Sequence, residues 1–152
     1  MEHKIQNHAV LYECDEGWRL IVEEDRPIYD YINYRLERSH ETICDVESLI
    51  QNKSWNSATN RLYYACFYAV SALLIKNNIN SKSHSGTKQK FNELFIKTKI
   101  IPMKFGKTYT SLFENRIKGD YNDFFKMDEE KFMRLFEPSK ELIKEIEKLL
   151  KE

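Results

Sequence analysis

The sequence predicts an all-α protein, an up-and-down bundle of about five helices. Three observations carry this. Only 4 Gly and 3 Pro occur in 152 residues, too few turn residues for a sandwich, barrel or doubly wound sheet. Apolar residues recur every three to four positions over most of the chain after Pro27. One run, Leu62 to Ile75, is apolar nearly all round, as a central buried helix would be.

The composition is 41% apolar and 32% charged, that of a folded globular chain. The Leu62–Ile75 run contains three tyrosines and a serine, too short and polar to span a bilayer. No membrane association is expected. The three cysteines, Cys14, Cys44 and Cys66, show no C-x-x-C spacing, and the first twenty residues lack a signal-peptide pattern. A cytoplasmic, thiol-reduced protein is expected. The net charge is zero, which excludes a chain coating nucleic acid as one basic polymer. That zero conceals a gradient: residues 1–50 carry −7, 51–80 carry +3, 81–118 carry +7 and 119–152 carry −3.

Residues 1–25 read as an N-terminal extension and 26–152 as the helical domain. Within the extension, Ala9–Tyr12 and Trp18–Val22 flank Cys14-Asp15-Glu16-Gly17, a hairpin or irregular segment. Asp25 and Pro27 suit the cap and first position of a helix. Its inner face is expected at Ile28, Ile32, Leu36, Ile43, Val46 and Ile50. Ser54 is positioned to cap a second helix, Trp55 to about Lys76. Asn77-Asn78 and Ser81–Gly86 read as a loop. A third helix is expected from Thr87 to Lys97, with Phe91, Leu94 and Phe95 inward. A fourth begins near Ile101-Pro102, faces inward at Phe105, Tyr109, Leu112 and Phe113, and is expected to end at Gly119. Asp128 caps a fifth, which Pro138 is expected to kink or split.

Three stretches have chemical content. In Asn60–Leu74, Arg61 opens an apolar helix and needs a carboxylate or solvent, while Tyr64 and Tyr68 lie one turn apart. A structural ion pair explains Arg61 as well as a ligand does. In Lys82–Thr87, Lys82 and His84 stand beside a helix N-terminus that is suited to anions. Plain capping by Ser83 or Ser85 is the competing explanation. In Glu114–Asp123, Arg116 and Lys118 crowd a helix end, followed by Asp120 and Tyr121; these residue types bind phosphate or handle a ribose hydroxyl. An Arg116–Asp120 pair would account for them without a ligand. The four histidines show no i, i+4 pairing, so no metal or other cofactor is expected.

The run Arg61-Leu-Tyr-Tyr-Ala-Cys-Phe-Tyr-Ala, then Lys82-Ser-His-Ser-Gly, then Arg116-Ile-Lys-Gly-Asp-Tyr resembles the HEPN domain family over about Asp30 to Leu150. It looks most like small stand-alone prokaryotic HEPN proteins. The resemblance implies a bundle of four to five helices, a homodimer, and pairing with a minimal nucleotidyltransferase in a toxin–antitoxin-like system. Many family members are metal-independent ribonucleases whose motif is an Arg followed four to six residues later by a His. Arg116 matches that Arg; Tyr121, Asn122 or Asp123 stands where the His would fall. A nucleotide- or RNA-binding protein therefore leads, with Arg61, Tyr64, Lys82, His84 and Lys118 as further ligand contacts. The rivals are a divergent ribonuclease using Arg116 with Asp120 or Tyr121, and a structural dimer without ligand. By similarity Tyr121 is also a candidate acceptor of a nucleotidyl group.

Overall fold

The computed structural model describes residues 27–152 in full and, before them, the backbone of residues 2–5, 9–14, 17–22 and 26. Three short antiparallel strands come first: β1 (Glu2–Ile5), β2 (Ala9–Cys14) and β3 (Gly17–Val22), in the order β1-β2-β3. Pairing of Ala9 with Val22 and Cys14 with Gly17 makes β2 and β3 the hairpin expected from the apolar runs. The strand β1 was not foreseen. The expected cap Asp25 and the turn residues Asp15 and Glu16 lie outside the described residues.

The five helices are α1 (Arg26–Gln51), α2 (Trp55–Lys76), α3 (His84–Phe91), α4 (Met103–Tyr121) and α5 (Glu129–Lys151). Helix α2 is central and touches the other four. Its Leu62, Tyr63, Ala65, Cys66, Ala69 and Val70 are fully buried, as a run without a polar face requires. Helix α1 lies along it, with Val46 at 0% exposure and the Ser39 hydroxyl donating to the Ala65 carbonyl at 2.7 Å. Ile28, placed inward by spacing, is instead 41% exposed, because it lies at the start of α1.

Local chemistry departs from expectation at several ends. Ser54 does not cap α2 through its side chain; its carbonyl accepts from Ala58 N at 2.8 Å. Helix α3 starts three residues early, at His84, because Ser83 Oγ accepts from Gly86 N at 2.9 Å. It continues into one π-helical turn, Asn92–Ile96, closed by Lys97 N on Asn92 O at 2.9 Å. The wider turn keeps Phe91 and Phe95 inward and leaves Leu94 39% exposed. Helix α4 does not end at Gly119. It runs on to Tyr121, with Asn122 N on Lys118 O at 3.0 Å.

Helix α5 is continuous through Pro138 rather than split. A proline inside a helix costs about 3 kcal/mol or more. Phe132 and Phe136 before it, and Leu142, Ile143 and Ile146 after it, are all buried. Each such side chain contributes about 1.5–3 kcal/mol on burial, enough to hold both halves on one axis. Asp128 caps α5 as expected, accepting from Lys131 N at 2.8 Å.

Candidate functional site

Arg116 and Asp120 are one turn apart on α4, so both face α2. Arg116 Nε lies 3.3 Å from Asp120 Oδ2; the Arg116 side chain is 15% exposed and that of Asp120 36%. The contact is an ion pair, although the Nε–H is not aligned for a hydrogen bond. The guanidinium carbon sits 5.1 Å from the Tyr63 ring centre and 5.4 Å from that of Tyr64. Asn60 Nδ2 reaches Asp120 Oδ1 at 3.4 Å. The cation is therefore held from several sides by residues of two helices.

One side of Arg116 opens on a cleft of about 160 Å³, lined also by Asn56, Thr59, Asn115, Gly119 and Asp120. Asn56 shapes its floor. Its amide donates to the Phe125 carbonyl at 3.2 Å and accepts from Met127 N at 2.7 Å. Those two bonds fold the α4–α5 connection back onto the start of α2.

On the other side of Tyr63 stands His84. Its Nδ1 is 2.9 Å from the Tyr63 hydroxyl. Its ring lies 4.4 Å from Phe67 and 5.7 Å from Tyr64, between centres. Burial, and next the nearby Arg116 charge, hold the imidazole below its ordinary pKa. It is thus neutral near pH 7. Burial pushes the Tyr63 phenol up, so it keeps its proton. The Tyr63 hydroxyl can accept from Nδ1–H, the tautomer that leaves the Nε2 lone pair open.

The fold therefore gathers Arg61, Tyr64, His84, Arg116 and Asp120 from three separate stretches. Arg61 finds no carboxylate among the described residues; it donates to the Asn60 amide oxygen at 3.1 and 3.3 Å and lies 4.8 Å over Tyr64. Lys82 and Lys118 are exposed and make none of these contacts. Tyr121 is 81% exposed at the last turn of α4. Sequence reasoning passed over Asn56, Asn60 and Tyr63, although 56, 60 and 63 share a helix face. Among the described residues, no three His, Cys, Asp or Glu side chains cluster as a metal site would need, and no helix is long and apolar enough to cross a membrane.

The chain is similar to several known proteins. A "UPF0332 protein" of Thermotoga maritima is 36% identical over 80% of this chain and 92% of its own length. A Methanocaldococcus jannaschii protein named "Putative toxin MJ0605" is 30% identical over 84% of this chain and 95% of its own. A second from that organism, "Putative toxin MJ0142", is 31% identical over 57% and 59%. The family model for the HEPN domain matches residues 32–149, which span α1 to α5 and include every residue of the Arg116 cleft. The chain belongs to the HEPN domain family.

Proposed function

We propose that this chain is a toxin-like HEPN protein that binds the phosphate of RNA or of a nucleotide at Arg116. It would act as a homodimer within a toxin–antitoxin-like pairing, with a minimal nucleotidyltransferase as its partner protein. The single observation that supports this most is the setting of Arg116. It is a mostly buried cation, oriented by Asp120 and two tyrosine rings, at the edge of a polar cleft. A guanidinium held this way offers its N–H fork to phosphate with little ordering cost. Asp120 is the group that phosphate would displace or share. The names of the Methanocaldococcus relatives support the toxin part of the reading.

Anisotropy with a labelled short RNA tests it. Arg116→Gln should weaken binding at least tenfold while circular dichroism stays helical. Equal binding by both proteins would refute the reading. Co-elution with a co-expressed nucleotidyltransferase tests the partner, and a mass increase of one nucleotidyl group on Tyr121 tests modification.

A second reading is favoured by one observation, the placement of the His84 imidazole beside Arg116, both against Tyr63. A metal-independent ribonuclease needs a base near neutral pH. His84 would take the proton of a ribose 2′-hydroxyl, whose oxygen attacks phosphorus; the 5′-oxygen leaves with a proton from water, giving a cyclic phosphate. Arg116 would hold the developing charge. Asp120 and Tyr121 are the other candidates for the base. Cleavage of an RNA pool in chelator, lost in both His84→Ala and Arg116→Gln, is the result required.

A further inference from the structure

Outside the cleft, an unusual side-chain arrangement runs across α1 and α2. Tyr31 and Tyr34 are near-parallel, 6.4 Å apart between ring centres at 13°, and are 43% and 54% exposed. Arg35 lies between Tyr31, at 5.1 Å, and Tyr68 of α2, at 5.6 Å. Arg38 covers the same Tyr68 ring at 5.4 Å. Tyr68 is 6.2 Å from Tyr64, and Tyr64 carries both Arg61 and Arg116. Contacts among tyrosines and arginines thus run without a break from the exposed start of α1 to the edge of the cleft.

The spacing explains why this track exists. Residues 31, 34, 35 and 38 fall on one stripe of α1, and 61, 64 and 68 on one stripe of α2. The track is not core, since its outer rings face water. An apolar partner is a poor match for a surface interrupted by four guanidiniums, each of which would lose its hydration. A strand with stackable bases and a phosphate at each step is a good one. Tyrosine faces take bases of any sequence, and arginines take phosphates or stack themselves. The bonds seen on Arg35, from Nε and Nη2 to the Tyr31 hydroxyl, leave further N–H groups of its fork for phosphate. Among the described residues, carboxylates touch the track at two points, Glu41 on Arg38 at 3.0 Å and Asp120 on Arg116.

We infer that this Tyr–Arg track is a binding path for single-stranded RNA, which leads the strand from α1 to Arg116. The choice of RNA rests on the function proposed above; the track itself is tested apart from it. The experiment uses the full chain and two labelled RNAs of mixed sequence, about 4 and about 12 nucleotides, the range one stacking groove covers. Tyr31→Ala/Tyr34→Ala removes two exposed rings at the α1 end of the track, and Arg116→Gln alters its other end, at the cleft.

The expected result is that the tyrosine double variant weakens the longer RNA roughly tenfold or more and leaves the shorter one within about twofold. Arg116→Gln should weaken both. If the double variant binds both lengths like wild type while Arg116→Gln does not, the track is overturned and the cleft reading stands. If the double variant loses the longer RNA while Arg116→Gln loses nothing, the track stands and the cleft reading falls. No RNA binding by wild type overturns both. Equal affinity for a duplex of the longer length would overturn the track, because paired bases cannot stack on the rings. Light scattering accompanies each sample: a double variant that halves the particle mass with RNA affinity unchanged would make this face a contact between copies, and would also overturn the track.

Discussion

The Tyr63 hydroxyl lies 2.9 Å from His84 Nδ1, and the ring of the same tyrosine carries the Arg116 guanidinium 5.1 Å from its centre. One side chain thus links a histidine on α3 to a cation on α4, which the sequence separates by 32 positions. The electrical consequence is measurable. Burial first, and the Arg116 charge second, lower the His84 pKa from its ordinary 6.5. In an NMR titration His84 should titrate below that value, and Arg116→Gln should move it upward. An unmoved resonance would break the electrostatic link.

The same shift makes stability depend on pH. A histidine with a depressed folded pKa is neutral in both states above 6.5, so it adds no pH dependence there. Below 6.5 the unfolded chain takes the proton first. Stability should therefore fall as pH drops from the unfolded value to the lower folded one. His84→Gln should flatten that part of a plot of melting temperature against pH. A parallel slope in wild type and variant would assign the loss to other groups.

Two glycines near the site should respond in opposite ways. A Cβ on Gly86 would stand 2.8 Å from Ser83 Oγ and 3.0 Å from Ser81 Oγ. Gly86→Ala should therefore disturb the Ser83 cap that starts α3, at a cost of about 1 kcal/mol, and loosen His84. A Cβ on Gly119 meets nothing within 4 Å. Gly119→Ala should stabilise α4 by about 0.5–1 kcal/mol, the helix propensity it gains. Because Gly119 lines the cleft, Gly119→Leu should keep the fold and weaken ligand binding there. Urea denaturation of the alanine variants checks the first pair of signs; anisotropy with short RNA checks the third.

These contrasts show which parts of the molecule could be read from the chain. Helix α2 was legible to the residue because its signal is local: a run apolar on all sides and bounded by Lys53-Ser54 and Asn77-Asn78. The Asp128 cap was legible for the same reason. The π-turn after Phe91 was not, because it answers to the close approach of α4, where a Cβ on Gly106 would come within 3.0 Å of Ile96. Arg116 stands in a local motif, but the contacts that join it to His84 through Tyr63, and Asp120 to Asn60, bridge separate helices and leave no periodic trace. Arg35 and Arg38 escaped notice because they sit in the most acidic third of the chain, where net charge hides a single basic stripe.

Cysteine chemistry offers a further check. Cys66 is fully buried in α2, its Sγ 3.8 Å from the Ser139 carbonyl, and burial pushes its thiol up to about 12. Cys44 is exposed on α1. Iodoacetamide on the native protein should alkylate Cys44 and spare Cys66, since the thiolate is the reactive form. Denaturant should expose Cys66 to the reagent. Native labelling of Cys66 at the rate of Cys44, read by peptide mass spectrometry, would contradict the packing of α2 against α5.

Tyr109 makes the sharpest energetic prediction. It is fully buried on α4, stacked 5.8 Å from Tyr63 at 13° and edge-on to Phe91 at 5.5 Å. Its hydroxyl has no aligned hydrogen-bond partner, and burial drives its pKa well above the ordinary value of 10.0. A buried polar atom left unsatisfied costs about 1–3 kcal/mol, whereas the ring beneath it contributes packing. Tyr109→Phe should therefore leave stability unchanged or raise it by about 1 kcal/mol. Tyr109→Ala should cost about 3–5 kcal/mol, as removal of a buried aromatic does. Chemical denaturation of both variants reads the two signs. A clear loss in Tyr109→Phe would mean that the hydroxyl is satisfied through Tyr63, and that the Tyr63–His84 pair extends one residue deeper into the core.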